Sequence, residues 1–309
     1  MSIVPSTLEF NRPVDLGELN NLRYPIIGEP KLDGVRGMLT QNPQERFITT
    51  RNRDSEGAYH RVDSKLPQFA NLEWGDFIID GELMVPVVDN SLGITTGILN
   101  ATPDNALNMQ IQDAEVNLYA FDLLSIDYVD LREDNIEYRR RVLEDVVSEL
   151  NHPNLKIIRR QVINDEHEAE AFILSMLEGG FEGVVFKDCE STYNQKNSWR
   201  RFKERVTVDA QVIGYTEGKG KYTGLIGAVE LALIQDGHGL RSIGNCAPGT
   251  DDVRVALSRK LINASRMDIL EMRMIAEVEA QSWTPHGKLR HPRIKRWRPD
   301  RSEPNTRRF

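Results

Sequence analysis

Short strand-like runs alternate with longer amphipathic segments over the first two thirds of this 309-residue chain, and this alternation limits the possible folds. Residues 132–150 carry apolar side chains at a helical spacing, as helices that bury one face do, and residues 166–177 predict a second helix that Gly179-Gly180 ends. Short continuous apolar runs predict buried strands at residues 26–30, 77–79, 117–122 and 183–187. This mixture predicts an α/β or α+β domain built on a central sheet.

The pattern changes near residue 208, where a hairpin replaces the alternation. Strand-like residues 210–215 and 225–234 flank a segment rich in glycine and lysine, residues 217–224. Such a segment between two apolar runs indicates a turn. Further along, the sequence predicts a helix at residues 251–262 and a strand at residues 274–280. We therefore predict two domains, residues 1–207 and a small β-rich domain at residues 208–309.

A basic tail ends the second predicted domain. Residues 285–309 hold nine basic and two acidic side chains, a net +7, although the whole chain carries −8. Positive charge concentrated in this way can neutralise phosphates even in an acidic protein. We expect residues 301–309 to be solvated or disordered.

Composition indicates a soluble globular protein, with 39% hydrophobic and 28% charged residues. No apolar run approaches the ~20 residues that span a bilayer. Residues 1–13 lack the basic start and apolar stretch of a signal peptide. Cys189 and Cys246 show neither metal-ligand spacing nor a disulfide framework. These features predict a cytoplasmic protein with no membrane partner.

A candidate nucleophile follows the first predicted strand, in the sequence Glu29-Pro30-Lys31-Leu32-Asp33-Gly34-Val35-Arg36. A lysine attacks only when it is neutral, so its pKa must be lowered by desolvation or by nearby positive charge. Arg36 could supply that charge, and Asp33-Gly34 predicts a tight turn. Taken alone, the motif is also compatible with an ordinary surface turn.

Further motifs place carboxylates, aromatic rings and cations at the ends of predicted strands. In chain order they are Asp80-Gly81-Glu82, Phe121-Asp122, Glu182-Gly183 with Lys187, Trp199 with Arg201 and Lys203, and Arg290 with Arg293, Arg296 and Arg298. Together with the Lys31 motif, they resemble the nucleotidyltransferase motifs of the ATP-dependent DNA ligase family, in the family's order. The resemblance covers residues 24–300. One such motif would say little, whereas six in order indicate membership.

The resemblance implies a role for each matching residue. Lys31 corresponds to the lysine that becomes adenylated, Glu29 to the residue that binds the adenine edge, and Phe121 to the ring that stacks on adenine. The other correspondences are Arg36 and Arg51 near the ribose and the nick phosphate, Glu82 near the ribose and the metal, Glu182 as a second metal-linked acid, Lys187 and Lys203 as α-phosphate lysines, and Arg290, Arg293, Arg296 and Arg298 in the motif that orients the leaving pyrophosphate.

Three of these correspondences have simpler interpretations. Taken singly, Phe121 in its apolar run is typical of a core residue, and Glu82 and Glu182 are typical of charges at strand ends.

Arg201 departs from the family, which usually has a lysine at this position. Arginine keeps the charge and can bind phosphate bidentately, but it differs from lysine in reach and hydration.

The resemblance also implies the fold class and the reaction. The fold is α+β: an ATP-grasp-like nucleotidyltransferase (adenylation) domain with mixed and antiparallel sheets, followed by a small β-barrel OB-fold domain. The reaction seals 5′-phosphate/3′-hydroxyl nicks in duplex DNA, with ATP and with Mg²⁺ or Mn²⁺ as cofactors. The chain looks most like the compact, phage-type, two-domain members. We therefore expect a monomer that acts on nicked duplex DNA in the cytoplasm of a bacterium or phage-infected cell.

Other functions share parts of this pattern. An mRNA capping guanylyltransferase uses the same lysine chemistry, but its last motif centres on an Asp-Lys pair. An RNA ligase shares the first domain and usually lacks the OB-type ending, whereas an NAD-dependent ligase is longer and has a four-cysteine zinc site. A non-catalytic nucleic-acid-binding protein of this fold would not need Lys31, Glu82, Glu182 and Lys203.

Overall fold

The structure is a computed structural model, and it describes residues 9–53, 55–72, 75–87, 91–236, 238–284 and 286–307. The chain divides into two compact units, the first ending at Lys203 and the second beginning at Glu204.

The first unit contains both strands and helices. Its strands are β1 (Val14–Asp15), β2 (Ile26–Lys31), β3 (Val35–Gln41), β4 (Arg46–Arg53), β5 (Tyr59–Arg61), β6 (Phe77–Met84), β7 (Asn117–Ile126), β8 (Val129–Asp130), β9 (Leu155–Ile157), β10 (Gln161–Ile163), β11 (Gly183–Asp188) and β12 (Trp199–Lys203). Its α-helices are α1 (Ser91–Asn100), α2 (Pro103–Gln112), α3 (Ile136–Leu150) and α4 (Glu166–Glu178). Short 3-10 turns lie at Leu19–Asn21, Asp63–Lys65 and Pro67–Phe69.

These strands form two sheets. Sheet 1 has the order β1-β12-β11-β2-β10, in which only β1 runs parallel to its neighbour among the described strands. Sheet 2 has the order β5-β4-β3-β6-β7-β8, with β9 added in parallel beside β7. The mixed and antiparallel sheets, with helices between their strands, confirm the α+β prediction.

The side-chain alternation of each strand divides sheet 2 into two faces. Leu39 and Ile79 lie on one face, in an apolar core that includes residues of α1, α2 and α3. Their neighbours Met38 and Ile78 lie on the other face, in a smaller cluster with Trp199 of sheet 1. Sheet 2 therefore has helices on one face and sheet 1 on the other.

Sheet 1 follows the same rule. Val184 and Phe186 of β11 pack with α4 in an apolar cluster. Gly28 of β2 lies under the same helix, and a Cβ atom at this position would overlap the ring of Phe172. The alternate positions of β2, β11 and β12 therefore face sheet 2.

Polar residues set the ends of the helices. The predicted helix at residues 132–150 begins only at Ile136, because the Asn135 side chain caps it by accepting a hydrogen bond of 2.9 Å from the Tyr138 amide. Asp165 caps α4 in the same way, through the Glu168 amide at 2.8 Å. The second predicted helix is thus confirmed with nearly its expected bounds.

The second unit is built mainly from strands. They are β13 (Val206–Glu217), β14 (Ile226–Gln235), β15 (Gly239–Cys246), β16 (Ile275–Ala280), β17 (Ser282–Trp283), β18 (Leu289–Arg290), β19 (Arg293–Trp297) and β20 (Thr306–Arg307). Its helices are α5 (Asp251–Leu261) and α6 (Arg266–Glu271), with a 3-10 turn at Gly220–Tyr222. The division expected after residue 207 falls two residues into β13.

Five of these strands curl into a barrel. Their order is β15-β14-β13-β16-β19, and a bridge between Ala247 and Arg293 joins the two ends of the series. The interior is apolar and includes Val212, Leu231 and Val278, together with residues of α5 and α6. A five-stranded barrel of this kind is the architecture of an OB fold, as predicted.

The tail is more ordered than the sequence indicates. Thr306–Arg307 forms β20 beside β14, and the Asn305 side chain accepts a hydrogen bond of 2.6 Å from the Asp209 amide. The expected solvated or disordered tail is therefore wrong for residues 304–307, whereas residues 301–303 are exposed. Residues 308 and 309 lie outside the described part of the chain.

Candidate active site

The residues predicted to carry chemistry line the space between sheets 1 and 2. Because side chains two apart on a strand share a face, Glu29 and Lys31 on β2 point the same way, as do Asp80 and Glu82 on β6. The two sheets are in contact here, since the Lys187 ammonium group of sheet 1 lies 4.7 Å from the ring centroid of Phe121 in sheet 2. Most of the sequence-predicted residues of the first unit are thereby brought together.

Lys31 is the last residue of β2, and its side chain is 20% exposed. The chain turns at Asp33-Gly34 into β3. Only glycine fits at position 34, because a Cβ atom would overlap the Leu83 carbonyl oxygen. The Lys31 ammonium group forms an ion pair with the Glu182 carboxylate. The predicted tight turn therefore places the candidate nucleophile at a strand end, held by a carboxylate.

Glu182 bridges two lysines, since the Lys203 ammonium group binds its other oxygen. Burial opposes ionisation of Glu182, but Lys31 and Lys203 hold its pKa below the usual value. Burial lowers the pKa of Lys203, and Lys31 acts in the same direction, whereas Glu182 opposes both. This group therefore concentrates cationic side chains around one ionised carboxylate.

Glu29 and Lys187 form a buried ion pair on neighbouring strands, with 2.7 Å between Oε2 and Nζ. The Lys187 ammonium group also lies 4.1 Å from the ring centroid of Trp199. Burial lowers the pKa of Lys187, and the attraction of Glu29 opposes this effect. A nucleotide that uses either residue must therefore share or break this ion pair.

Arg36 of β3 is bound to Asp80 of β6. Its Nε and Nη2 atoms donate hydrogen bonds of 3.0 and 2.5 Å to the two carboxylate oxygens, and its guanidinium lies 5.0 Å from the Phe121 ring centroid. The charge expected to act on Lys31 is therefore already paired with a buried carboxylate. Tyr193 completes this group, since its hydroxyl donates a hydrogen bond of 2.6 Å to Asp80.

Glu82 lies opposite Arg36 across the β3–β6 pair and is half-buried. Burial raises the pKa of Glu82 to about 7; Asp80 and Glu182 act in the same direction, and Lys31 and Arg36 oppose it. Glu82 and Glu182 thus share one site but differ in their preferred protonation state. Such a difference is typical of functional carboxylates.

Phe121 is half-buried on β7, and its ring packs edge-on against Trp199 at 5.8 Å. This contact is compatible both with core packing and with a ring that one face of a nucleotide base could reach. The sequence did not single out Trp199 beyond its place in a motif. Its position two residues before Arg201 on the same strand was the available signal.

Two further predicted residues are more exposed than this cluster, although Arg201 lies close enough to Lys203 to lower the pKa of that lysine. Arg201 is 35% exposed and binds Asp15 of β1 at 2.6 Å. Arg51 is exposed on β4. Alternation along the strand places it on the same face of sheet 2 as Thr49 and its cross-strand partner Met38. In the part of the chain that the structure describes, no ion pair connects Arg51 with the clustered residues.

The arginines of the last motif differ in their surroundings within the second unit. Arg298 is 16% exposed and binds Asp209, Glu277 and Asp300 at 3.2, 3.4 and 2.8 Å. Arg293 and Arg296 are 73% and 64% exposed, although each pairs with a glutamate of β16. Arg290 is half-buried on β18. The motif therefore combines an arginine held inside a carboxylate network with two that extend into solvent.

Sequence comparison places both units in one family. A family model described as the ATP dependent DNA ligase domain matches residues 17–203. A second model, the ATP dependent DNA ligase C terminal region, matches residues 222–301. The chain belongs to the ATP-dependent DNA ligase family.

Relatives within this ligase family are distant in sequence. The DNA ligase of Methanosphaera stadtmanae is 25% identical over 299 residues, covering 89% of this chain and 52% of the relative. The DNA ligase of Methanothrix thermoacetophila is 31% identical over 250 residues, covering 76% of this chain and 43% of the relative. The chain thus spans about half the length of these curated relatives.

Solved ligase structures share the fold. A Lig E DNA ligase, described as binding DNA with a minimal scaffold, matches with a TM-score of 0.67 at 17% identity, covering 94% of this chain and 100% of that one. The ATP-dependent DNA ligase of bacteriophage T7, solved with ATP, matches with a TM-score of 0.50 at 18% identity, covering 96% and 100%. These similarities support the nucleotidyltransferase and OB-fold architecture. None of the described helices is long and apolar enough to cross a membrane.

Proposed function

We propose that the chain is an ATP-dependent DNA ligase that transfers AMP from ATP to Lys31, and then to the 5′-phosphate of a nick in duplex DNA. The observation that carries this proposal is the position of Lys31, at the end of β2 and bound to the Glu182 carboxylate that also binds Lys203. Family membership supports it. Cations close to a lysine favour its neutral, nucleophilic form and stabilise charge on a phosphate, and the ion pair of Lys31 with Glu182 must break before the amine attacks.

In the first step, the neutral Lys31 amine attacks the α-phosphorus of ATP. An N–P bond forms, the bond from the α-phosphorus to the bridging oxygen breaks, and pyrophosphate leaves. The proton that Lys31 must lose passes to a neighbouring carboxylate. Glu182 contacts the Lys31 ammonium group, and Glu82, whose pKa burial raises to about 7, is the stronger base as long as it binds no cation. We assign stabilisation of the phosphate charge to Lys187, Arg201 and Lys203.

The other nucleotide contacts remain proposals of the same kind. We assign adenine recognition to Glu29 and Phe121, and contacts near the ribose and nick phosphate to Arg36 and Arg51. In the second unit, we assign phosphate binding to Arg290, Arg293 and Arg296. The carboxylate network around Arg298 favours a role in the barrel for that residue.

The family implies a divalent cation, and carboxylates among the described residues are suitable ligands for it. They contain no group of three His, Cys, Asp or Glu side chains that could hold a metal alone. Magnesium is commonly held by one or two carboxylates together with substrate phosphates, and Glu82 and Glu182 provide two neighbouring carboxylates. Mg²⁺ or Mn²⁺ bound there would offset negative charge on the phosphates.

The later steps join the DNA strands. The 5′-phosphate of the nick displaces Lys31 from the AMP phosphorus, which forms a DNA-adenylate with a new pyrophosphate linkage. The 3′-hydroxyl then attacks the 5′-phosphorus, forms the phosphodiester and releases AMP. We propose that the protein acts on nicked duplex DNA as a monomer in the cytoplasm. Phosphate contacts from the cations assigned above, among them Arg290, Arg293 and Arg296, predict strong salt dependence of DNA binding.

The test uses α-labelled ATP or GTP with Mg²⁺, a denaturing gel and a chase with nicked duplex DNA. We expect label from ATP to stay on the wild-type protein through denaturation and to be discharged as the nick is joined. Lys31→Ala should abolish labelling. Lys156→Ala is the matched control, since Lys156 is an exposed strand lysine of the same unit.

Each alternative predicts a different result. Label from GTP alone would assign the chain to the capping class, and joining of nicked RNA but not DNA would assign it to RNA ligases. No label with either nucleotide would indicate a non-catalytic nucleic-acid-binding protein. Labelling of the Lys31→Ala protein would refute the assignment of the nucleophile.

A further inference from the structure

Tyr193 lies in the segment between β11 and β12 and is fully buried. Its backbone amide donates a hydrogen bond of 2.8 Å to the Arg132 carbonyl oxygen, and its own carbonyl oxygen accepts one from the Asn11 side chain. Contacts from two other segments of the chain therefore fix this tyrosine. No sequence motif marked it.

The Tyr193 hydroxyl contacts the charged pair of the candidate site. It donates a hydrogen bond of 2.6 Å to Asp80 Oδ2 and accepts one of 3.2 Å from the backbone amide of Asn11. Arg36 Nη2 lies 3.4 Å from the same hydroxyl. The same Asp80 oxygen receives the 2.5 Å hydrogen bond from Arg36. Burial and the Asp80 charge raise the pKa of Tyr193 well above its usual value, so the hydroxyl remains a donor.

These contacts determine the orientation of Arg36. Asp80 has no exposed side-chain surface and binds Arg36 through both oxygens. Without the hydroxyl, one Asp80 oxygen would lose a donor inside the protein, where water cannot easily replace it. The Tyr193 ring also packs edge-on against Trp199 at 5.9 Å, next to the ring face that Arg36 approaches at 5.3 Å.

We propose that Tyr193 is a positioning residue for Arg36: its hydroxyl holds the Asp80 carboxylate, and Asp80 in turn orients the guanidinium within the site. This inference rests on the proposed ligase function, because it assigns Arg36 to a step of that reaction. A tyrosine that only completed the hydrophobic core would affect stability and not one particular step.

The experiment compares wild type, Tyr193→Phe, Arg36→Lys and the double variant in single-turnover assays of lysine adenylation, DNA adenylation and strand joining. Tyr193→Phe removes only the hydroxyl. Arg36→Lys keeps the positive charge but loses the bidentate hydrogen bonding to Asp80. Tyr128→Phe is the control, since Tyr128 is 52% exposed. A thermal unfolding midpoint is measured for each protein.

The assays first identify the step that Arg36→Lys slows most. We expect Tyr193→Phe to slow that same step about tenfold, which is the scale of one hydrogen bond to a charged group. The other steps and Tyr128→Phe should change little. The double variant should be no slower than Arg36→Lys alone, because both changes remove the same orientation. Asp80→Asn should slow the same step, which supplies a second route if Tyr193→Phe folds poorly.

Three results would overturn the inference. Additive losses in the double variant would show that Tyr193 and Arg36 act separately. Equal slowing of every step together with a lower unfolding midpoint would show a purely structural role. If the wild-type protein itself forms no adenylate, the proposed function fails and the positioning role fails with it, whereas an active wild type with an unaffected Tyr193→Phe variant refutes the positioning role alone.

Discussion

Replacing Glu82 by glutamine should make the first unit more stable at pH 8 while impairing the proposed ligase reaction. Glu82 is held among Asp80 and Glu182 in a half-buried position, and its pKa is raised from 4.5 to about 7. An acid with a raised pKa is less stable as the anion in the folded protein than in the unfolded chain. Glutamine has nearly the same shape and carries no charge.

The size of the effect follows from the shift. One pKa unit corresponds to about 1.4 kcal/mol, so the rise from 4.5 to about 7 sets an upper limit of about 3.5 kcal/mol. Water penetration and local relaxation reduce this cost, and glutamine makes weaker hydrogen bonds than a carboxylate. We therefore expect Glu82→Gln to raise the free energy of unfolding by about 1–3 kcal/mol at pH 8.

The sign of the pKa shift also predicts the pH range. Below the unfolded pKa of 4.5, Glu82 is neutral in both states and costs nothing. Between 4.5 and about 7 the unfolded chain ionises first, so the wild type loses stability relative to the variant as pH rises. Above about pH 7 the difference becomes constant. At pH 5 it should fall below about 1 kcal/mol.

Urea titrations at pH 5 and pH 8, followed by circular dichroism and fitted with a separate transition for each unit, measure this difference. Glu182→Gln is the matched control with the opposite expectation. Lys31 and Lys203 lower the pKa of Glu182, so its charge stabilises the fold at neutral pH and the benefit is lost as pH falls. Destabilisation of Glu82→Gln at pH 8, or a stabilisation that does not depend on pH, would refute the reasoning.

Three further changes test other parts of the structure. Phe121→Ala should weaken ATP binding at least about tenfold if the ring stacks on adenine; unchanged affinity in an equilibrium titration would leave it a core role. Arg139→Met leaves the buried Asp122 carboxylate without its bidentate partner at 2.7 and 2.9 Å and should cost about 3–5 kcal/mol in urea unfolding. Arg298→Ala should lower the unfolding midpoint of the second unit more than Arg293→Ala, and equal midpoints would contradict the proposed role of Arg298.

The strand positions and the faces of the first unit could be predicted from local sequence. Hydrophobic runs located β2, β6, β7 and β11, and strict alternation then assigns Lys31 and Lys187 to one face and their apolar neighbours to the other. The order of the motifs supplied the family and, through it, both domain architectures. These features depend on short sequence windows or on motif order, which are both visible without a structure.

Other features depend on contacts between distant segments, and the sequence could not reveal them. Tyr193 lies 113 positions from Asp80, and nothing near either residue indicates that they meet. The burial of Arg298 among carboxylates arises only when β13, β16 and β19 pair. The order of the tail has the same origin, because β20 exists through pairing with β14.

Glu82 and Glu182 have opposite electrostatic surroundings, because the pKa of Glu82 is raised and that of Glu182 is lowered. This difference predicts different roles for the two carboxylates in the proposed reaction. Glu182 is ionised and bound to two lysines, so it can orient the Lys31 amine but is a poor proton acceptor. Burial raises the pKa of Glu82 to about 7, so its carboxylate can either accept a proton near neutral pH or be stabilised as the anion by a bound cation. A site that binds Mg²⁺ should therefore gain more stability from the cation at pH 8 than at pH 5, and Glu82→Gln should remove most of that difference.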